Sequence, residues 1–329
     1  RQYPSEEPFW KYIVLFFSFI VAIIFSWNYS IKPIIINRDI NVIEYWQITE
    51  KCEMASDASE KLMDKWESIL DSHLRLVYIN TQIGDCGEEV FKKDGIVAYY
   101  NAKKRLEELM KIRPYYTRTW LFHMIFVYNI ISKDKSISPA QKNELMNEAL
   151  DSFKKAYALS SKRQPVFIAG AKTYFSTGKS DEAKRLLDEC FKVAGNYPNC
   201  YWTKANINLG LGEIEEGTKT IKYALEKEYY NTDDSELNNF INFYSKQSDK
   251  ATGKEKIEYY NILVMLYKNL IRIPAPFGKT PDFQPHASLA YIYKGLGQYD
   301  KAKEEAAIVL KLSPVSKQAV EDFLRTLPK

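Results

Sequence analysis

A period of 34 residues runs through the middle and C-terminal parts of this chain and limits what it can fold into. Ala149, Ala183 and Gly217 are small and lie 34 residues apart. Phe153, Leu187 and Ile221 repeat a large apolar residue at the same interval, and Ala156, Cys190 and Ala224 repeat a small one. Upstream, Ala171 and Ala205 keep the phase, as do Phe167 and Tyr201, and so do Gly178 and Gly212. Small and large apolar residues at such fixed offsets predict a short unit that cannot bury its apolar side alone and stacks on copies of itself. Small residues let two helices approach, and large ones fill the space beside them. The expected fold class is all-α, and stacks of this kind present surfaces for binding.

The offsets resemble those of the tetratricopeptide repeat, a pair of antiparallel helices. Residues 164–197 match with Phe167, Ala171, Tyr174, Ala183, Leu187 and Cys190. Residues 198–231 match with Tyr201, Ala205, Gly217, Ile221 and Ala224, while Asn208 stands where an aromatic is expected. Residues 283–316 match with Leu289, Ala290, Tyr293, Ala302 and Pro314, with Gly297 at the turn. Residues 235–272 read as a degenerate pair, followed by a proline-rich loop. Upstream, Ala102, Leu106 and Leu109 carry a second-helix pattern that Pro114 ends, and Thr117–Ser132 opens on Trp120. Ser138, Pro139 and Gln141 predict a capped helix start, with Ser138 and Gln141 forming a capping box. Val320, Phe323, Leu324 and Leu327 predict a terminal helix over 315–327 that covers the exposed end of the stack. The resemblance implies a solenoid over 98–329.

Ahead of it lie a polar lead-in (1–8) and an apolar segment (9–30). From Phe9 to Ile31 the only charge is Lys11, which can snorkel to an interface. Twenty helical residues span about 30 Å, the thickness of a bilayer core. Trp10 and Tyr12 stand at one end and Trp27 and Tyr29 at the other, as aromatic belts do. No small-x-small cleavage site follows, so a transmembrane helix is expected. Pro33 is expected to break that helix. Residues 31–97 read as a helical linker region. It holds a short helix from Asp39 to Met54, a longer one from Ser59 to Ile83 (Leu62, Trp66, Ile69, Leu70, His73, Leu74, Val77) and a loop at Gly84, Gly87 and Gly95. Arg1 and Lys11 before the span balance Lys32 and Arg38 after it, so charge does not set the orientation. The first residue is Arg1, and the chain reads as a processed product or a segment of something longer.

Lys+Arg 46 against Asp+Glu 42 gives a net charge of +4, too balanced for a nucleic-acid partner. The string Ser176–Ser180 (STGKS) lacks the glycine a phosphate loop needs, since Thr173 occupies that position. His73, His123 and His286 are scattered, so neither a metal site nor a cofactor is expected. Glu213, Glu215, Glu216, Glu304 and Glu305 fall near first turns of helices, where they suit the dipole. No nucleophile context appears, and the chain is not expected to be an enzyme. Four cysteines fit an oxidising compartment without requiring it. Cys190 with Cys200, and Cys52 with Cys86, are the candidate bridges.

By the geometry of the tetratricopeptide family, Arg118, Tyr128, Lys172, Phe175, Trp202, Asn206, Tyr291 and Lys294 should line a concave face of first helices. They would meet a protein or peptide partner or a glycan. Trp202 and Tyr291 are the expected aromatic anchors, and their replacement by Ala is expected to leave folding intact. Asn206 sits where some relatives grip peptide backbone, but the basic residues of a carboxylate clamp are missing.

A narrower resemblance rests on the span FFSFIVAIIFSWNYSIKPI, the segment Arg113–Phe122 and the repeats behind them. This layout is similar to the C-terminal part of O-antigen ligase/polymerase-like bacterial membrane proteins. It implies a non-catalytic tail on the outer face of the cytoplasmic membrane, with lipid-linked glycan among the partners. A self-associating cell-surface protein and a stand-alone assembly factor are the alternatives.

Overall fold

The computed structural model describes residues 9–49, 51–65, 78, 81, 86–275 and 280–328. The lead-in 1–8 and Trp66, Ile69, Leu70, His73, Leu74, Val77 and Gly84 lie outside them. The described residues are helical, without a strand, and divide into two compact units, 1–112 and 113–329.

In the first unit α1 (Phe9–Ser26) runs through a π-helical turn (Trp27–Ile31) into α2 (Lys32–Ile48). Pro33 therefore does not break the helix, contrary to the sequence expectation. A proline removes one hydrogen bond and its ring crowds the preceding turn. Here the turn is widened, with Lys32 N–H donating to the Trp27 carbonyl five residues back, and Pro33 takes an early position in α2. The side chains of α1 point outward unburied, among them Trp10, Phe16, Phe17, Phe19 and Phe25. Trp10–Ile48 is one helix, long and apolar enough over part of its length to cross a membrane. The helix changes character midway, for Ile36, Ile40, Ile43 and Gln47 are buried.

α2 stops at Ile48, earlier than the predicted Met54, where the Thr49 hydroxyl donates to the Tyr45 carbonyl at 2.9 Å. α3 (Cys52–Lys65) begins before the predicted Ser59. Gly87 opens α4 (Gly87–Asp94) in what read as a loop, and Gly95 (φ 63°) separates it from α5 (Ile96–Ile112). Cys52 and Cys86 form a disulfide with Cα atoms 5.1 Å apart, and Lys93 of α4 reaches Asp57 of α3 at 3.1 Å. The helix α5, read from sequence as part of the repeats, packs within this unit, burying Ala98, Tyr99, Ala102, Leu106 and Leu109.

The second unit is a tetratricopeptide-like stack of antiparallel hairpins. Its first helices are α6 (Thr117–Lys133), α8 (Gln164–Ser176), α10 (Pro198–Gly210), α12 (Asp234–Lys250) and α14 (Gln284–Gly295). Their partners are α7 (Pro139–Leu159), α9 (Ser180–Val193), α11 (Ile214–Glu226), α13 (Gly253–Ile271) and α15 (Tyr299–Leu312). The short helix α16 (Lys317–Arg325) covers the last pair, burying Val320 and Phe323. The periodic residues are buried as their spacing requires, with Ala156, Ala171, Ala183, Leu187, Cys190, Ala205, Ile221 and Ala224 wholly inaccessible. Ser138 caps α7 through the reciprocal box with Gln141.

Three hairpins turn the same way. Gly178, Gly212 and Gly297 take φ of 76°, 78° and 70°. In each case the N–H of the next residue bonds a carbonyl five residues back, at 2.9 Å: Lys179 to Tyr174, Glu213 to Asn208 and Gln298 to Tyr293. This is the Schellman closure, and it needs a residue free to adopt the left-handed conformation. Ser180 is the first residue of α9, and Lys179 takes the cap position. Gly170 serves closeness rather than turning. A Cβ there would fall 2.3 Å from Cε2 of Phe153, so α7 and α8 approach only because it is absent.

Candidate functional site

α6, α8 and α10 lie side by side, each backed by its second helix. What they leave uncovered decides what the stack can bind. Arg118 near the start of α6 is exposed, its guanidinium 5.2 Å from the centre of the Phe122 ring. Ile125 and Tyr128, further along α6, are 42% and 47% exposed. Lys172 of α8 is exposed, and Ile168 and Phe175 flank it half-buried. Phe175 reaches α10, where a Cβ on Gly210 would meet its Cζ at 2.9 Å. Asn206 of α10 is exposed, and its Nδ2 lies 3.5 Å from Oε1 of Glu236 on α12. Asn231 donates to the other oxygen of Glu236 at 2.7 Å.

Trp202 does not belong to this surface. Its side chain is inaccessible, Nε1–H donates to the Tyr229 carbonyl at 2.7 Å, and its ring meets Phe240 of α12 edge-on at 5.4 Å. An indole costs much less to bury when its N–H finds an acceptor, and α12 closes over it. The expected anchor is a core residue, and Trp202→Ala cannot leave folding untouched.

The candidates on α14 stand apart. Tyr291 is 64% exposed, yet one side of its ring packs on Phe323 of α16 at 4.9 Å. Lys294 donates to Oγ1 of Thr326 at 2.8 Å and lies 5.8 Å from the Phe323 ring centre. Both are partly engaged in holding the terminal helix. The expected set thus gathers Arg118, Tyr128, Lys172, Phe175 and Asn206 on three neighbouring helices, with Tyr291 and Lys294 by the cap.

Two features went unseen in the sequence reading. One is an aromatic cluster in which Tyr201 stacks with Tyr223 at 5.3 Å and meets Phe191 at 4.5 Å and Tyr229 at 5.4 Å. Burial raises the Tyr201 phenol above its usual range. The other is His123, inaccessible between α6 and α7, with Nδ1 2.8 Å from the Ser152 hydroxyl and Nε2 3.0 Å from the Glu148 carboxylate. It ties the first hairpin together. His286 likewise links α14 to α15, 2.7 Å from Glu305. Cys190 and Cys200 form the second disulfide, joining α9 to α10 with Cα atoms 6.4 Å apart.

No protein-family profile matches the chain, and no curated protein matches it. Among solved structures of similar shape is a thermophilic tetratricopeptide protein of Thermus thermophilus. It is 15% identical, with 58% of this chain and 90% of that one covered and a TM-score of 0.47. A tetratricopeptide repeat protein of Parabacteroides merdae is 8% identical, with 88% and 97% covered and a TM-score of 0.42. IFIT1 in complex with m7Gppp-AAAA is 14% identical, with 86% and 61% covered and a TM-score of 0.45. At these scores the repeat assignment rests on the chain's own period, hairpins and turns.

Proposed function

We propose that this chain is a membrane-anchored helical-repeat scaffold that docks a protein or peptide partner on the first-helix face of α6, α8 and α10. The observation that carries the reading is the set of large side chains left uncovered there, Arg118, Ile125, Tyr128 and Lys172, on helices whose other sides are occupied by packing. Tyrosine and arginine are among the residues most often found to dominate binding energy at protein interfaces. A photo-crosslinking residue at Lys172 is the test, with one at Lys219 of α11, whose side chain is 78% exposed, as the control. Discrete crosslinked products from position 172 and none from 219 are expected. Equal yields from the two positions refute the assignment of the face.

The anchoring rests on α1, whose apolar side chains lie open to their surroundings along its length. Carbonate extraction should leave the full chain in the membrane pellet, and removing residues 9–31 should release it. Two buried disulfides favour an oxidising compartment for the repeats, hence the outer side of a bacterial cytoplasmic membrane. In this reading the chain is the non-catalytic tail of a polysaccharide ligase-like protein, and any glycan transfer belongs upstream of Arg1. The reading frame ahead of Arg1 tests this: further spans support the tail assignment, and a nearby start codon refutes it.

A further inference from the structure

The first helices of the second unit are sorted by charge. α6, α8, α10 and α14 carry Arg118, Lys133, Lys172, Lys204 and Lys294 and contain no Asp or Glu. The second helices α7, α9, α11, α13 and α15 each carry both signs. Several of the second-helix cations are neutralised within the unit. On the second helices Lys154, Lys184, Lys222 and Lys303 each meet a carboxylate at 2.5 to 3.9 Å. Lys204 turns toward α9 and pairs with Asp188 at 2.7 Å. Arg118, Lys172 and Lys294 meet no carboxylate among the described residues. Arg118 stacks on Phe122, Lys294 leans on Phe323 and Thr326, and Lys172 stands exposed.

α12 interrupts the pattern. It contains Asp234, Glu236 and Asp249, and Glu236 already holds Asn231 and Asn206. The acid-free surface therefore covers α6, α8 and α10, and it mixes two cations with the apolar groups of Ile125, Tyr128, Ile168 and Phe175.

We propose that this surface takes an extended acidic peptide, one whose carboxylates alternate with apolar side chains. The inference rests on the docking reading above and adds the chemistry of the partner. In the repeat frame Arg118 holds the second position and Lys172 the ninth, so they are offset by about 10 Å along the helix axis at about 1.5 Å per residue. Neighbouring helices pack about 9 Å apart, which separates the two cations by roughly 14 Å. An extended chain rises about 3.3 Å per residue and covers that distance in about four residues. Acidic residues four apart would then meet Arg118 and Lys172 together, and an apolar residue between them would lie over Ile168 and Ile125. Charge complementarity of this type sets register and rejects partners of the wrong sign.

The test uses the full chain in detergent and fluorescence anisotropy with three labelled probes. They are a peptide repeating Glu-Gly-Leu-Gly, its counterpart repeating Lys-Gly-Leu-Gly, and a sulfated oligosaccharide. The glutamate peptide should bind at least about tenfold tighter than the lysine peptide and weaken as salt rises. Reversal at both cations (Arg118→Glu with Lys172→Glu) should cost about tenfold, and reversal at Lys219 and Lys227 on the other side should cost nothing. Equal binding of the two peptides, or binding of the oligosaccharide alone, overturns the proposal. Crosslinking from position 172 to a partner without an acidic segment also overturns it while leaving the docking face in place. Loss of crosslinking at 172 removes the face itself.

Discussion

Replacing Trp202 by Ala gives the most direct test of how the second unit is held together. The indole is wholly buried between α10 and α12, beside Phe240, Ile221 and Leu237. Truncating a buried aromatic to Ala typically costs about 3–5 kcal/mol, through lost transfer energy and the cavity left behind. Included in that is the hydrogen bond from Nε1 to the Tyr229 carbonyl, worth about 1 kcal/mol net. Trp202→Phe keeps most of the ring and gives up mainly this bond, so it should cost about 1–2 kcal/mol. A body of this size loses about 2–4 °C in Tm per kcal/mol, so the Ala variant should melt on the order of 10 °C below the parent and the Phe variant about a third as far. Because a hairpin stack is stabilised through nearest neighbours, the damage should be local. Amide exchange should rise in α10, α11 and α12 before α6 and α7 change. The assay is circular dichroism melting with hydrogen exchange. A Trp202→Ala protein that melts within about 2 °C of the parent and keeps its exchange pattern would refute the core assignment.

Four further outcomes can be checked the same way. Asn208 stands where the repeat favours an aromatic, and its Oδ1 is buried without a hydrogen-bond partner among the described residues; Asn208→Leu should raise stability by about 1–2 kcal/mol, read as a higher Tm. Gly170→Ala should lower stability by about 1–3 kcal/mol through the clash with Phe153, and Phe153→Leu in the same chain should recover part of it. Burial raises the phenol of Tyr244 well above its ordinary value, outweighing its bond to Thr218, and the phenol of Tyr259 beside it is raised as well. The unfolded chain therefore sheds these protons from about pH 10 while the folded one keeps them, and stability falls as pH rises beyond that point. Tyr244→Phe should make the alkaline decline in Tm shallower. Reduction should cost about 3 kcal/mol at Cys190–Cys200, which closes a short loop, and about 4 kcal/mol at Cys52–Cys86, which closes a longer one; Tm with and without reductant measures it.

The repeats were legible because packing between helices leaves few choices. Ala171, Ala183 and Ala205 lie at close approaches, and their size shows in sequence. The turns at Gly178, Gly212 and Gly297 were legible for a similar reason, since the backbone there suits glycine. Trp202 misled because its repeat position faces outward only when the next hairpin leaves it open. Whether Phe240 closes over it depends on how the degenerate pair 235–272 seats, and no local signal reports that. Pro33 misled because a widened turn can absorb a proline, and the turn is a property of the backbone rather than of any one residue. Three glycines hid α4, whose eight residues offer little periodicity to read. The charge division between first and second helices was visible in the sequence, but it acquires meaning only once the helix boundaries assign each lysine to a side.

The bridge between Cys190 and Cys200 has a mechanical consequence. Under tension a stack of hairpins peels from its ends, one pair after another, because each is held only by its neighbours. A covalent tie from α9 to α10 crosses the seam between two successive pairs. Pulled from the C-terminus, the array would lengthen in steps, and at that tie the link between Cys190 and Cys200, 10 residues apart, would stay closed, so this seam would release less length than the others.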